Sequence, residues 1–407
     1  MNDSTAHTLS ATLNGATTNL GGSIPSTITN NVGVDIMHSQ LCPTTTSPNP
    51  VITLVLDGKV ISPIMVTQNP QILCKPTPTL DVSLSATPVS QTVVAGTKNV
   101  KFNGLNFTCG TASDCMVKDF SLKGWSTVGV NAGPVNSNFV TNIKLVDAAT
   151  NNALTSPKLA DAQGIVNFSD DWVIKAGTTK NVYVIGDVPP TAISGAKVYF
   201  TTTTQVQVVD KDDNIINVTG TPNKDGTIFV TILGSGKLTI KVDASTPAAT
   251  TIVAGTPNVL FSKYKFTAEN EDFVVQKLDV ISDINNNFGN FENKNDSDVI
   301  SVKIKYKDVG GIDQTKTGYL VAGKASFSGL SLSVPKDGSV DLSISADVNS
   351  VANGAIIGSK LKLGLYEGAS SDNSFKAIGN TSGTALKADT VGLFTAAGAS
   401  VSAMTIK

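Results

Sequence analysis

The sequence predicts an all-β protein that contains two tandem, homologous antiparallel β-sandwiches, preceded by an extended N-terminal strand region and a small β unit. Two observations support this fold class. One 17-residue phrase occurs twice in the chain, and short strand-like runs separated by turn residues follow each copy. No amphipathic helical stretch of useful length interrupts these runs.

The repeated phrase defines two modules. "TVVAGTKNVKFNGLNFT" begins at Thr92 and "TIVAGTPNVLFSKYKFT" at Thr251, and the two copies agree at 10 of 17 positions, where unrelated segments match at roughly one. Later phrases, "IKAGTTKNVYVIGDV" and "VPKDGSVDLSISADV", match more loosely. We therefore predict module 1 at residues 80–237 and module 2 at 238–407, each of ordinary domain size. "LGSGK", between them, reads as a flexible joint.

Both copies of the phrase change the parity of their apolar alternation. In the first copy Phe102 lies on one parity and Leu105 on the other, and the second copy shifts at the same place. A strand has a side-chain period of two, so one extra residue exchanges its faces. We predict a β-bulge or a sheet-switching bend near Asn103 and Ser262.

The N-terminal segment, residues 1–30, is rich in Thr, Gly and Asn and too poor in large apolar residues to build a core. Leu9, Ala11 and Leu13 nevertheless alternate as in a strand. Two interpretations follow: the segment is disordered in an isolated molecule, or it is a donated strand that joins the sheet of another subunit.

Residues 31–79 are predicted to form a small β unit. Within them, "VITLVLDGKVISPIMV" reads as a hairpin that turns at Asp57 and Gly58.

The four cysteines form two pairs that are local in sequence. We predict disulfides between Cys42 and Cys74 and between Cys109 and Cys115. Four reduced thiols are the alternative, whereas the lack of neighbouring histidines argues against zinc. Disulfides indicate a location outside the cytoplasm.

Composition argues against several classes of function. All 30 basic residues are Lys and the net charge is −2, so the clustered guanidinium groups typical of nucleic-acid binding are missing. No apolar run approaches the ~20 residues of a membrane span. The only histidines are His7 and His38, and no metalloprotease, nucleophile-elbow or phosphate-loop motif is present. We predict neither an enzyme nor a cofactor.

Two acidic clusters offer oxygen ligands of the kind that calcium prefers, and each also reads as a solvated turn. They are "DKDDN", at residues 210–214, and "ENKNDSD", which contains Glu292, Asp296 and Asp298. Of the two tryptophans, Trp172 is expected in a core, and Trp125 in a loop that is a candidate ligand contact.

The phrases "VVAGT", "KAGTTKNVYVIGDV" and "PKDGSVDLSISADV" resemble the tandem Ig-like β-sandwich modules of prokaryotic cell-surface proteins, found in S-layers, stalks and extracellular filaments. The resemblance implies a secreted structural subunit that polymerises with identical subunits by strand donation, with the segment around Leu9, Ala11 and Leu13 as the assembly strand. The alternative is a monomeric adhesin or glycan-binding protein that uses the loops around Trp125 and Asn285. Six N-glycosylation sequons permit surface glycans.

Overall fold

The structure is a computed structural model that describes residues 7–13, 16–24, 52–56, 59–60, 78–220, 222–282, 296–366, 373–394 and 401–407. In these ranges the chain forms β-strands and two short 3-10 helices, at Asp296–Asp298 and Val351–Asn353. No helix in them is long and apolar enough to cross a membrane. The all-β fold class predicted from the sequence is confirmed.

The N-terminal strands form one antiparallel sheet. They are β1 (His7–Leu13), β2 (Ala16–Ile24), β3 (Ile52–Leu56) and β4 (Lys59–Val60), in the order β2-β1-β3-β4. Leu56 pairs with Lys59, on either side of the predicted turn at Asp57 and Gly58, which itself lies outside the described residues. The segments assigned to 1–30 and 31–79 therefore share a sheet.

Two facing sheets enclose the core of module 1, whose buried residues run from Leu80 to Ile232. One sheet has the strand order β10-β13-β7-β5-β15, and the other has the order β11-β8-β14-β16-β6, with β9 and β12 also on β8. The strands are β5 (Thr79–Leu84), β6 (Gln91–Val94), β7 (Val100–Cys109), β8 (Cys115–Val128), β9 (Asn131–Pro134), β10 (Thr141–Asp147), β11 (Ile165–Phe168), β12 (Trp172–Ile174), β13 (Thr179–Asp187), β14 (Lys197–Val209), β15 (Asn217–Thr219) and β16 (Val230–Leu233).

A second core, from Leu238 to Ile406, lies between the sheets of module 2. Their strand orders are β17-β19-β24-β21-β22, β18-β29-β25 and β23-β20-β27-β28, with β26 on β20. The strands are β17 (Lys237–Val242), β18 (Thr250–Ile252), β19 (Val259–Glu269), β20 (Phe273–Ser282), β21 (Val299–Lys307), β22 (Asp313–Gly318), β23 (Lys324–Val334), β24 (Ser339–Val348), β25 (Lys360–Leu361), β26 (Leu363–Leu365), β27 (Phe375–Gly379), β28 (Ala385–Lys387) and β29 (Met404–Ile406).

Equivalent strands pair in the same way in the two modules. The parallel ladder of β6 and β16 begins at Gln91 and Val230, and the parallel ladder of β18 and β29 begins at Thr250 and Met404. The two modules have twelve and thirteen strands, β5–β16 and β17–β29. Some paths are divided into short pieces: β26 and β27 both pair with β20, where the single strand β14 pairs with β8.

The predicted parity shift is a β-bulge in both modules. The ladder between β7 and β13 skips Phe102, next to Asn103, and the ladder between β19 and β24 skips Phe261, next to Ser262. Both phenylalanines are fully buried. Neither strand changes sheets, so of the two alternatives the bulge is correct. The extra residue turns two successive side chains toward the interior.

Candidate assembly site

The predicted assembly strand pairs within its own chain. Leu9, Ala11 and Leu13 lie on β1, which is flanked by β2 on one side and β3 on the other. This sheet shares no strand with the sheets of either module in the described residues. β1 is therefore held in its sheet by ladder hydrogen bonds on both edges.

The disulfide predicted between Cys109 and Cys115 is present and joins the end of β7 to the start of β8. Both cysteines are buried in the core of module 1. The predicted partners Cys42 and Cys74 lie outside the described residues. The hairpin closed by the disulfide forms the end of module 1 opposite its junction with module 2.

In module 2 the corresponding hairpin, between β19 and β20, is fixed by a buried carboxylate. Glu271 is 1% exposed and accepts hydrogen bonds from the N–H groups of Gly236 (2.5 Å), Thr381 (3.2 Å) and Ser382 (2.9 Å), and from the hydroxyl of Ser382 (2.9 Å). A buried carboxylate is stable when its oxygens are paired in this way. Glu271 thus connects the hairpin to the linker and to the turn between β27 and β28.

The linker between the modules contains Gly234 and Gly236, and the backbone N–H of each donates a hydrogen bond to a side chain distant in sequence. The N–H of Gly234 donates to Ser194 Oγ at 3.0 Å, and Gly236 donates to Glu271 as described. A Cβ added at Gly236 would lie 2.5 Å from Glu271 Cγ, so only glycine fits there. The expectation of a flexible joint is therefore wrong, because partners distant in sequence bind the glycine backbone.

Backbones of the two modules touch beside this linker. A Cβ at Gly96 would lie 2.3 Å from the carbonyl oxygen of Thr381. The neighbouring Val94 is 1% exposed, although the core of module 1 takes up Val93 and Ala95 on either side of it. Strand side chains alternate, so Val94 faces outward. Val94 therefore lies outside the core of module 1, two residues before the contact of Gly96 with Thr381.

The equivalent turn of module 2 is built alike but is uncovered. The N–H of Ala95 donates to Leu233 at 2.7 Å, and that of Ala254 donates to Lys407 at 3.0 Å. Val253, which precedes Ala254 as Val94 precedes Ala95, is 54% exposed. The two modules thus differ in what covers this turn.

Three further apolar side chains are exposed at the same end of module 2. Val351 is 52% exposed, Ile356 60% and Ile357 63%. Their loop adjoins the turn of Val253, since the N–H of Gly255 donates to the carbonyl of Asn349 at 2.9 Å. We call Val253, Val351, Ile356 and Ile357 the end face.

A buried aspartate fixes the loop of the end face. Asp298 is fully buried, and its carboxylate accepts hydrogen bonds from the N–H of Ile356 (2.8 Å) and the hydroxyl of Ser359 (2.6 Å). Its carbonyl accepts from the N–H of Asn349 at 2.8 Å. Asp298 was expected in a solvated or calcium-binding cluster; instead its oxygens hold this loop. Asp296 accepts a hydrogen bond from Gly323, and Glu292 lies outside the described residues.

The acidic turn "DKDDN" is likewise organised by its own hydrogen bonds. One carboxylate oxygen of Asp210 accepts from the N–H groups of Asp212 (2.8 Å) and Asn214 (2.9 Å), and the Asn214 amide donates to both oxygens. Of the two interpretations of residues 210–214, a calcium cluster or a solvated turn, this hydrogen-bond pattern is typical of a turn. Within the described part of the chain, no three His, Cys, Asp or Glu side chains form a group that fits a metal ion.

The structure places Trp172 in the core, as expected, but places Trp125 in a strand where a loop was expected. Trp172 is 6% exposed and packs edge-on against Phe107, with ring centroids 4.9 Å apart, so its place in the core is confirmed. Trp125 lies within strand β8 and not in a loop, because β9 pairs with β8 there. The ammonium of Lys123 lies 4.5 Å from its ring centroid. Asn285 lies outside the described residues.

A groove opens beside β14 in module 1. The ladder between β14 and β16 covers only Lys197 and Val198, whereas that between β14 and β8 continues to Val209. Beyond Val198 a cavity of about 540 Å³ separates β14 from β15. Its lining includes Val82, Thr202, Val206, Ile215, Ile216 and Val218. Sequence patterns did not indicate this groove, since it depends on where the chain leaves β14.

The sequence matches no family model and no curated protein. Among solved structures it is similar to the calcium binding domain CBD12 of CALX1.1, at 9% identity over 70% of this chain and 79% of that chain, with a TM-score of 0.23. It is also similar to the class 5 fimbriae chaperone CfaA, at 9% identity over 73% of this chain and 97% of that chain, with a TM-score of 0.17. The CupB6 tip adhesin from Pseudomonas aeruginosa matches at 10% identity over 71% of this chain and 94% of that chain, with a TM-score of 0.17. Such low TM-scores add nothing to the fold that the strand pairings establish.

Proposed function

We propose that this protein is a secreted structural subunit of an extracellular filament or surface layer, and that identical subunits join by strand donation. The donated strand is the segment of Leu9, Ala11 and Leu13. The acceptor is the groove beside β14.

The groove is the observation that carries this proposal. An added strand makes main-chain hydrogen bonds to a sheet edge and places alternate side chains in pockets. Beyond Val198, the ladder of β14 in the described residues is with β8. On its other side Phe200 accepts from the Asn223 amide and Val208 accepts from the N–H of Ile216, and the cavity of about 540 Å³ is lined by residues between these two contacts. The lining is mixed: Val82, Val206, Ile216 and Val218 offer apolar contacts to the Leu and Ala side chains of the donor, and Thr202, Thr203 and Asn217 are polar.

The donor strand supports exchange as well. In the described residues its sheet shares no strand with the module sheets, so β1 exchanges its ladder hydrogen bonds with β2 and β3 for those of the acceptor edge. Near-neutral net charge, −2, also limits repulsion between packed copies.

Cross-linking between two differently labelled copies tests the donation. One copy carries Ala11→Cys and the other Val206→Cys, and the mixture is oxidised and run on a non-reducing gel. We expect a product of twice the 42.1 kDa subunit mass that contains both labels. The matched control is Val130→Cys, which is 97% exposed and outside the groove.

Two results would contradict the proposal. Cross-linking at Val130 as efficient as at Val206 would show random collision. A chain that lacks residues 1–24 and still forms normal filaments or sheets by electron microscopy would exclude the donor segment. A protein that stays monomeric and binds a glycan array, with binding weakened by Trp125→Ala, would instead support the adhesin alternative.

A further inference from the structure

We propose that the end face of module 2 binds a second copy of this chain, head to tail, through the end of module 1 that carries the Cys109–Cys115 hairpin. This proposal rests on the proposed function in one respect, namely that copies of the chain associate. It adds a second, independent contact to the strand exchange.

The chain itself contains a template for this contact. At the end of module 1 that corresponds to the end face, module 2 lies against the turn of Gly96, and Val94 is 1% exposed. The corresponding turn in module 2 has the same backbone hydrogen bonds, yet Val253 is 54% exposed. Within the chain, the end of module 2 that contains Thr381 lies against the Gly96 turn of module 1. A second copy of the chain brings a further module that can cover the corresponding turn of module 2.

A second copy presents a corresponding surface at the end of its module 1 that carries the Cys109–Cys115 hairpin. We call this end of a module its head. Module 2 meets Gly96 through the turn between β27 and β28, which contains Thr381. The equivalent turn of module 1 follows β14, at residues 210–214, and shares the left-handed conformation near its end: φ is 61° at Asp213 and 69° at Gly383. The two modules therefore carry a turn with a left-handed residue at the same place after equivalent strands.

The end face is also prepared for contact. Its four large apolar side chains lie together at one end of the module, and clustered exposed apolar side chains of this kind mark interaction sites more often than single ones do. Asp298 holds their loop through Ile356 and Ser359, so the loop is already ordered before a partner binds. Pre-ordering reduces the entropic cost of association.

A head-to-tail contact of this kind uses different surfaces on its two partners. Such heterologous contacts repeat from copy to copy and generate a line of subunits unless the rotation closes a ring. The end face of one copy and the module 1 head of the next thus specify a polar filament.

The test compares a double variant of the end face with a single-substitution control by sedimentation velocity over a range of concentrations. The end-face variant carries Ile356→Asp and Ile357→Asp, and the control carries Val391→Asp, which replaces a side chain that is 99% exposed elsewhere in module 2. All three side chains are exposed, so circular dichroism is expected to show unchanged folding. We expect association of the end-face variant to weaken about tenfold or more, and that of the control to match the natural chain.

Mixing experiments determine the polarity. The head variant carries Asp212→Arg, in the exposed turn of module 1. Both variants also lack residues 1–24, so that strand donation cannot join them. Each is expected to associate poorly alone, and the two are expected to form dimers, but not polymers, when mixed. Dimers formed by the head variant alone would show a tail-to-tail contact and overturn the head-to-tail geometry.

The outcomes separate this inference from the proposed function. An end-face variant that associates like the natural chain overturns the inference, even where deletion of residues 1–24 abolishes assembly. A deletion without effect, together with a weakened end-face variant, removes strand donation and leaves the inference standing. A natural chain that never associates overturns both.

Discussion

The backbone N–H of Asn99 donates a hydrogen bond to Oδ1 of Asp187 at 2.8 Å, and module 2 repeats the contact between Asn258 and Asp347 at 2.9 Å. Both asparagines are left-handed, with φ of 52° and 53°, a conformation that asparagine tolerates better than most residues. The contact connects the two repeated phrases of each module. It fixes the turn that lies at the junction in module 1 and at the end face in module 2.

Loss of this contact is expected to destabilise module 2. Asp347 also accepts hydrogen bonds from Ser301 (2.8 Å) and Lys303 (2.9 Å), so Asp347→Ala leaves three donors without their partner. We expect the free energy of unfolding to fall by about 1–3 kcal/mol in urea denaturation. Asp341→Ala, at an exposed position on the same strand, is the control and should change it little. Equal effects of the two variants would contradict the role of the contact.

We expect the contribution of Asp347 to the stability of module 2 to depend on pH. Hydrogen bonding by Lys303 lowers the pKa of Asp347 below its ordinary value, and the Asn258 and Ser301 contacts act in the same direction. A carboxylate whose pKa is lower in the folded state stabilises the fold above its unfolded pKa, about 3.9, and this stabilisation is lost as the pH falls through the folded value. The stability difference between the natural chain and Asp347→Asn should therefore shrink as the pH falls from about 5 toward 3. A difference that grows over this range would contradict the assignment.

Removal of the Cys109–Cys115 disulfide should destabilise module 1 selectively. The two cysteines are 6 residues apart, and closing so short a loop restricts the unfolded chain by roughly 2–3 kcal/mol. We expect Cys109→Ser with Cys115→Ser to lower the first module's calorimetric transition. Hydrogen exchange should increase in β7 and β8 and not in β19 and β20, where Glu271 closes the equivalent hairpin. Uniform loss of protection would indicate that the modules unfold as one unit.

Glu271→Ala should loosen the junction between the modules. The substitution removes the acceptor for the N–H groups of Gly236, Thr381 and Ser382. We expect a larger maximum dimension and a broader distance distribution by small-angle X-ray scattering, because the linker loses its attachment to module 2. Glu269→Ala, an exposed position two residues away, is the matched control. Identical scattering of the two variants would show that the junction does not depend on Glu271.

Local pattern was sufficient for some features of this protein. The parity shift around Phe102 predicted a bulge or a sheet-switching bend, since a strand has a fixed period of two, and the ladders show the bulge. The spacing of Cys109 and Cys115 predicted their disulfide because few geometries close so short a loop. The duplicated phrase predicted two homologous modules, and the two halves of the chain pair equivalent strands in the same way.

Other features depended on residues that are distant in the chain. Trp125 reads as part of a Gly- and Asn-rich loop, but β9 returns to pair with β8 and makes it a strand residue. Asp298 reads as a solvated acid, but its hydrogen-bond donors lie 58 and 61 residues away.

By itself the sequence indicated the all-β class, the repeated phrase, the parity shift and the short disulfide, because each follows from side-chain period or from residues close along the chain. Only the tertiary structure decided which surfaces are covered. Val94 and Val253 occupy the same position in the repeated phrase, and one is 1% exposed and the other 54%. Burial is a property of what packs against a side chain, and the partners that cover Val94 and leave Val253 open are encoded elsewhere in the chain.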